Sequence, residues 1–365
     1  CRALVGAAAH CRGPGAAGAV VHRVGHRFGR CRPWRGAGVA GRPGGGGGGE
    51  GSIIYGCTIE NNHATSEAGA IWLPDNPIII NTIIANNTSD YRSSAIYTSG
   101  ASISNCTIIS NGDDGNSGND PALMKLDAPC SIQNTIIWDN YPGSETIYYE
   151  NELSVKYSII DGVQAHFVDN NGYDHSVRLN WGEGNMGLDP LLNGDLSLQP
   201  NSPGIDAGDP NGFFNDSDGT RNDMGNSGGN KIFVSSDLID FGNVSTPTGD
   251  CCKRTYIYNL NHDDNLQLSS YSSSDNSTFY ISNEFEIPTD IGPFENFGPN
   301  FGIQNLSAGE YTAQIDISFS NMPNNTGSIH AAAMAYVLPS GDFHVPADMP
   351  TIQAALELAP EGKTI

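Results

Sequence analysis

The chain has 365 residues, length enough for two or three domains, with 17 basic and 40 acidic side chains and a net charge of −23. Charge is unevenly placed: residues 1–50 hold eight Arg and one acid for a net of +7, and the other 315 hold nine bases and 39 acids for a net of −30. So acidic a body argues against nucleic acid and anionic membranes as partners, because phosphate binding needs a basic surface. No long apolar stretch suggests a membrane span.

Residues 1–50 form an Arg/Gly-rich tail ending in the run Gly44 to Gly49. It lacks an apolar h-region, so it does not read as a signal peptide. Arg/Gly segments can bind nucleic acid. The alternatives are disorder or artefactual sequence, since the chain begins at Cys1 and composition changes abruptly at Gly51. No function is assigned to it.

From residue 51 a small residue, an Ile two places on and an Asn five places on recur: Cys57/Ile59/Asn62, Thr82/Ile84/Asn87, Cys106/Ile108/Asn111 and Thr135/Ile137/Asn140. A fifth unit, Ser158-Ile-Ile160-Asp-Gly162, keeps the small residue and the Ile and reads as exchanging Asn for Gly. The steps between small residues are 25, 24, 29 and 23, a solenoid period. Ile54, Ile79, Ile103, Ile132 and Val155 stand three residues before each small residue, and a further apolar run precedes each new unit. β-Branched residues in short alternation, separated by Gly, Asn, Asp and Ser, predict about three short strands per coil. Stacked coils then place Ile on Ile in a core and Asn on Asn at a corner. Cys57 and Cys106 fall two coils apart, beyond disulfide reach, and read as small core residues; adjacent Cys251 and Cys252 lack zinc-site spacing.

This pattern resembles the right-handed parallel β-helix, or pectate-lyase-like, family over residues 51–200. The family includes lyases, hydrolases, adhesins and passive stalks, so the resemblance bears on fold rather than activity. Residues 201–230 contain Ser202-Pro-Gly-Ile-Asp206-Ala-Gly208 and Asp216-Ser-Asp218-Gly-Thr-Arg221-Asn-Asp223-Met-Gly225. They resemble the "SPAIDAG" and "DGTRNDMG" closing segment of secreted bacterial β-helix proteins, with Gly204 where Ala is usual. The expected task of this segment is to cover the open last rung.

Residues 231–338 read as an all-β domain from the runs Lys231–Val234, Arg254–Tyr258, Leu266–Leu268 and Tyr311–Ile317. Ile239-Asp-Phe-Gly242-Asn-Val244, Asn259, Phe279 and Leu306-Ser-Ala-Gly309-Glu-Tyr311 resemble an immunoglobulin-like module of the ASH or choice-of-anchor D kind. Such modules imply spacing or attachment. In residues 339–365, Val345-Pro-Ala-Asp-Met-Pro350-Thr-Ile-Gln-Ala-Ala resembles the opening of a second β-helix. A short helix is expected there, with Ile352, Ala355, Leu356 and Ala359 on one apolar face capping a first rung. The expected architecture is thus all-β: a right-handed parallel β-helix solenoid, then a small β-sandwich, in a piece of a longer protein.

Lyases of this fold need carboxylates for Ca²⁺ and a basic residue; hydrolases need paired Asp. Residues 51–200 contain only Arg92, Lys125, Lys156 and Arg178 as bases. The candidate catalytic set is Asp113, Asp114, Asp120, Lys125 and Asp127, in the 29-residue unit whose extra length implies a loop. A solvated Asp/Gly turn is the competing reading. Asp216, Asp218 and Asp223 are candidate Ca²⁺ ligands, with an Asp/Asn turn cluster as the alternative. Trp72, Tyr97, Tyr148 and Trp138 line a sugar-stacking face if they point outward. The favoured expectation is a non-catalytic, monomeric, extracellular or cell-surface protein whose β-helix and sandwich serve as adhesion, glycan-contact or spacer modules, with polysaccharide or surface glycan as the partner. The alternatives are a polysaccharide lyase or glycoside hydrolase, with its site on the β-helix outer face or in the second β-helix, and a calcium-stiffened spacer without a ligand.

Overall fold

The structure, a computed structural model, describes residues 10–11, 19–20, 53–64, 68–73, 76–90, 93–112, 122–140, 147–169, 178–229, 231–245, 250–261, 264–281, 286–320, 326–336, 345 and 351–358. It divides into two compact units, Cys1–Pro210 with Phe214–Asn230, and Asn211–Phe213 with Lys231–Ile365. Of the first 50 residues, only the antiparallel pair His10–Cys11 and Ala19–Val20 is described; Cys11 pairs with Ile59 at the first coil.

Among the described residues the first unit is a parallel β-solenoid with three main sheets and a short two-stranded one, His63–Ala64 with Thr88–Ser89. In the first sheet Ile54, Ile79, Ile103, Ile132, Val155 and Trp181 stack in register. The second aligns Ile59, Ile84, Ile108, Ile137 and Ile160. The third aligns Ile71, Ile96, Met124, Ile147 and Phe167. These columns form one buried core. Each fully buried Ile contributes about 1.5–3 kcal/mol of transfer free energy, so the repeat is itself the stabilising device.

Two sharp corners per coil join the sheets. Gly56, Asn81, Asn105, Asn134 and Tyr157 take left-handed φ (48° to 61°) at one corner. Asn61, Asn86, Ser110, Asp139 and Gly162 do so at the other (47° to 66°). Gly and Asn adopt this conformation most readily, which is why both corners read as turn chemistry. After the first corner the small residues cross-link coils: Cys57 N–H donates to Thr82 Oγ1 (3.4 Å), Cys106 N–H to Thr135 Oγ1 (3.3 Å) and Thr135 N–H to Ser158 Oγ (3.1 Å). After the second, Asn62 Nδ2 donates to Asn87 Oδ1 (2.8 Å), Asn87 Nδ2 to Asn111 Oδ1 (3.0 Å) and Asn111 Nδ2 to Asn140 Oδ1 (3.2 Å). Gly162 does not replace Asn in this ladder. It holds the left-handed position one residue earlier, and exposed Val163 follows where the amide would stand. The ladder ends there because the chain enters a 3₁₀ turn, Val163–His166.

Cys57, Cys106 and Cys130 are free and buried, and burial pushes their thiols up to about 12. The side chains of Cys251 and Cys252 lie outside the described residues.

The segment expected to cover the last rung lies elsewhere. It runs along the outside of successive coils: Asn105 Nδ2 donates to Asn222 Oδ1 (3.0 Å), Asn226 N–H to Thr107 Oγ1 (3.1 Å) and Gly225 N–H to the Asn134 carbonyl (2.7 Å). Met224 packs on Ile136, Tyr157 and Ile159, with Leu192 and Leu198 beside them. The reason is legible in side-chain direction, since Ile136 and Ile159 flank the inward Ile137 and Ile160 and leave apolar surface outside the core. At the last coil, Leu179 and Trp181 pack on the core and Trp181 meets Phe167 edge-on (5.6 Å).

The second unit is all-β. Leu238–Ser245, Thr326–Tyr336, Gly309–Phe319, Leu266–Ser273 and Thr289–Ile291 form a five-stranded sheet, with two three-stranded sheets beside it. The expected strand at 254–258 is divided between sheets: Asp250–Arg254 pairs with Asn300–Ile303, and Ile257–Asn259 with Ile232–Val234. Buried Thr255, donating to the Ser236 carbonyl (2.7 Å), anchors the crossing. The helix Ile352–Leu358 forms, with Thr351 Oγ1 accepting the Ala354 N–H (3.0 Å). Ala354 is buried, and Ile352 and Leu356 of the expected apolar face are 64% and 59% exposed. The side chains of Ala355 and Ala359 lie outside the described residues.

Candidate ligand-contact surface

Alternation in the third sheet decides the direction of the aromatics. Ile71 and Leu73 are buried, so Trp72 between them points out; Ile96 and Thr98 do the same for Tyr97, and Ile147 and Tyr149 for Tyr148. Register places Trp72, Tyr97, Lys125, Tyr148 and Val168 in one half-exposed row. Successive members stand about 4.8 Å apart, the strand spacing. Trp138 belongs to another face and packs against the Met224 cluster.

Lys125 lies over the Tyr97 ring (5.8 Å to its centroid), 3.7 Å from Asp127 Oδ1 and 3.5 Å from Glu150 Oε1. Backbone bonds fix both acids at the corner, Asp127 N–H to the Thr98 carbonyl (3.0 Å) and Glu150 N–H to the Leu126 carbonyl (2.9 Å). The structure thus brings together two of the five candidate catalytic residues, while Asp113, Asp114 and Asp120 lie outside the described residues. Sequence reasoning missed Glu150. Its signal was phase: Glu150 follows Tyr148 as Asp127 follows Lys125, and those two positions pair.

The neighbouring first sheet carries a polar row. Ser102, Ser131, Ser154 and Asn180 are in register and line a groove of about 630 Å³ together with Glu152 and Arg178. Arg178 Nη1 donates to the Glu150 carbonyl (2.5 Å), linking groove and aromatic row.

Among the described residues no three His, Cys, Asp or Glu side chains are grouped as metal ligands. Asp216, Asp218 and Asp223 each accept backbone N–H bonds. Asp216 takes those of Asp223 (3.1 Å) and Gly229, Asp218 that of Thr220 (3.0 Å), and Asp223 that of Asp206 (2.8 Å). Burial, with Asp223 and Asp218 nearby, raises Asp216 to about 6. Burial also raises Asp223, whereas hydrogen bonds from Thr220 lower Asp218. Arg221 turns away, donating to the Gly208 carbonyl (2.6 Å) and stacking over Tyr157 (5.8 Å).

No protein-family model and no curated protein matches the chain. Among solved structures, it is similar to the ASH/PapD-like domain 7 of human CEP192, at 14% identity over 30% of this chain and 87% of that one, TM-score 0.24. The secreted serine protease VesC of Vibrio cholerae matches at 15% identity over 28% of this chain and 22% of that one, TM-score 0.22. WR4, an MSP family member of C. elegans, matches at 15% identity over 29% of this chain and 97% of that one, TM-score 0.21. Function is accordingly read from the chain's own residues.

Proposed function

We propose that the solenoid is a non-catalytic glycan-contact module of an extracellular or cell-surface protein, with the sandwich as spacer or attachment domain. The supporting observation is the outward row of Trp72, Tyr97 and Tyr148 in one register. Flat aromatic faces repeated along a rigid stack suit the apolar faces of successive sugar rings, and the Ser/Asn row beside them supplies hydroxyl and amide partners. The extracellular placement follows from resemblance to secreted bacterial β-helix proteins. We also propose that Ca²⁺ binds at Asp216, Asp218 and Asp223 by drawing together carboxylates that the structure does not group as ligands. A rise in Tm with Ca²⁺ that Asp223→Asn abolishes is the expected outcome.

A second reading, polysaccharide cleavage, draws on Lys125, Asp127 and Glu150 converging beside the aromatic row. One experiment separates the two. The full chain is assayed on a polysaccharide panel for retention and for new reducing ends or unsaturated products. Retention without products, weakened about tenfold or more by Tyr97→Ala with Tyr148→Ala, supports the module. Products that vanish with Lys125→Ala would establish cleavage instead.

A further inference from the structure

Charge narrows the ligand class, given that the solenoid contacts glycan as proposed. Four bases are described in the first unit, and each is engaged. Lys125 is held by Asp127 and Glu150, and Lys156 by Asp209 at 3.1 Å. Arg178 bonds the Glu150 carbonyl in a groove it shares with Glu152, and Arg221 bonds the Gly208 carbonyl. Among the described residues the aromatic row therefore carries one cation against two acids, and the groove one against one. Among the described residues an acidic polymer would find no surplus cation on either strip, and residues 51–365 carry a net charge of −30. Recognition of carboxylated or sulfated chains instead relies on charge-assisted bonds to Arg or Lys and on a favourable field. Ser102, Ser131, Ser154 and Asn180 offer groups that both donate and accept, as sugar hydroxyls do.

We infer that the ligand is an uncharged polysaccharide lying along the stacking direction, and that acidic glycans are excluded. The experiment is retardation of the full chain in native gels containing a neutral β-glucan or galactomannan, or polygalacturonate or alginate, at low and high salt. Retardation by a neutral polymer, unchanged by salt, with none by the acidic ones, is the expected result. Retardation by an acidic polymer that high salt abolishes would overturn this inference while leaving the glycan-contact reading in place. No retardation by any polymer would remove both. Asp127→Asn with Glu150→Gln unpairs Lys125, and it is expected to create retardation by polygalacturonate that the parent lacks. Absence of that gain contradicts the charge argument.

Discussion

Asn111 shows how single side chains hold the stack. Its Nδ2 donates to the Ile84 carbonyl (2.9 Å) and to Asn140 Oδ1, while its Oδ1 accepts the Asn87 backbone N–H (3.0 Å) and side-chain amide. Asn111→Ala leaves several buried groups unpaired, and a loss of about 3 kcal/mol in urea unfolding is expected. Asp216 makes a pH prediction. Its folded pKa, about 6, lies above the ordinary carboxylate value, so the native state favours the protonated form. Its contribution to stability is therefore fully present at low pH and is lost as pH rises through about 6. Asp216→Asn is expected to flatten that part of the Tm–pH profile while losing one of the two accepted N–H bonds at every pH; a profile of unchanged shape would contradict the assignment.

At the scale of elements, the coils were legible because a solenoid writes each structural position several times. The small-residue corner, the Asn ladder and the Ile columns stand where the repeat places them. Phase errors marked its limits. Gly162 reads as an Asn substitute until the second left-handed corner shows it one position early. The strand Thr326–Tyr336 has no clear sequence signal, since Ala331, Ala332 and Ala333 have little β-propensity and gain their order from pairing with both neighbouring strands. The segment on the solenoid's flank differs from expectation because nothing local distinguishes covering an end from covering a side. Gly225 ties it down: φ is 88°, and a Cβ there would come within 2.7 Å of Ile136 Cδ1 and 2.9 Å of Thr107 Oγ1. Gly225→Ala should cost about 1–3 kcal/mol and speed tryptic cleavage after Arg221. Unaltered cleavage would argue that the segment docks without this contact.

For the molecule as a whole, fold and function differ in how far residues specify them. A core needs only period and apolarity, and both are redundant in the repeat. A contact surface depends on which of two neighbouring residues faces out, and one shift in phase reverses every side chain of a strand. Trp72, Tyr97 and Tyr148 were therefore visible as candidates but not as a row. Trp138 packs instead against the cluster of Ile136, Tyr157, Ile159 and Met224. The most direct test is hydroxyl-radical footprinting of the full chain with and without a retained neutral polysaccharide. Protection concentrated on Trp72, Tyr97 and Tyr148, with Trp138 unchanged, is the predicted result; protection confined to other faces, with these three still fully reactive, would contradict it.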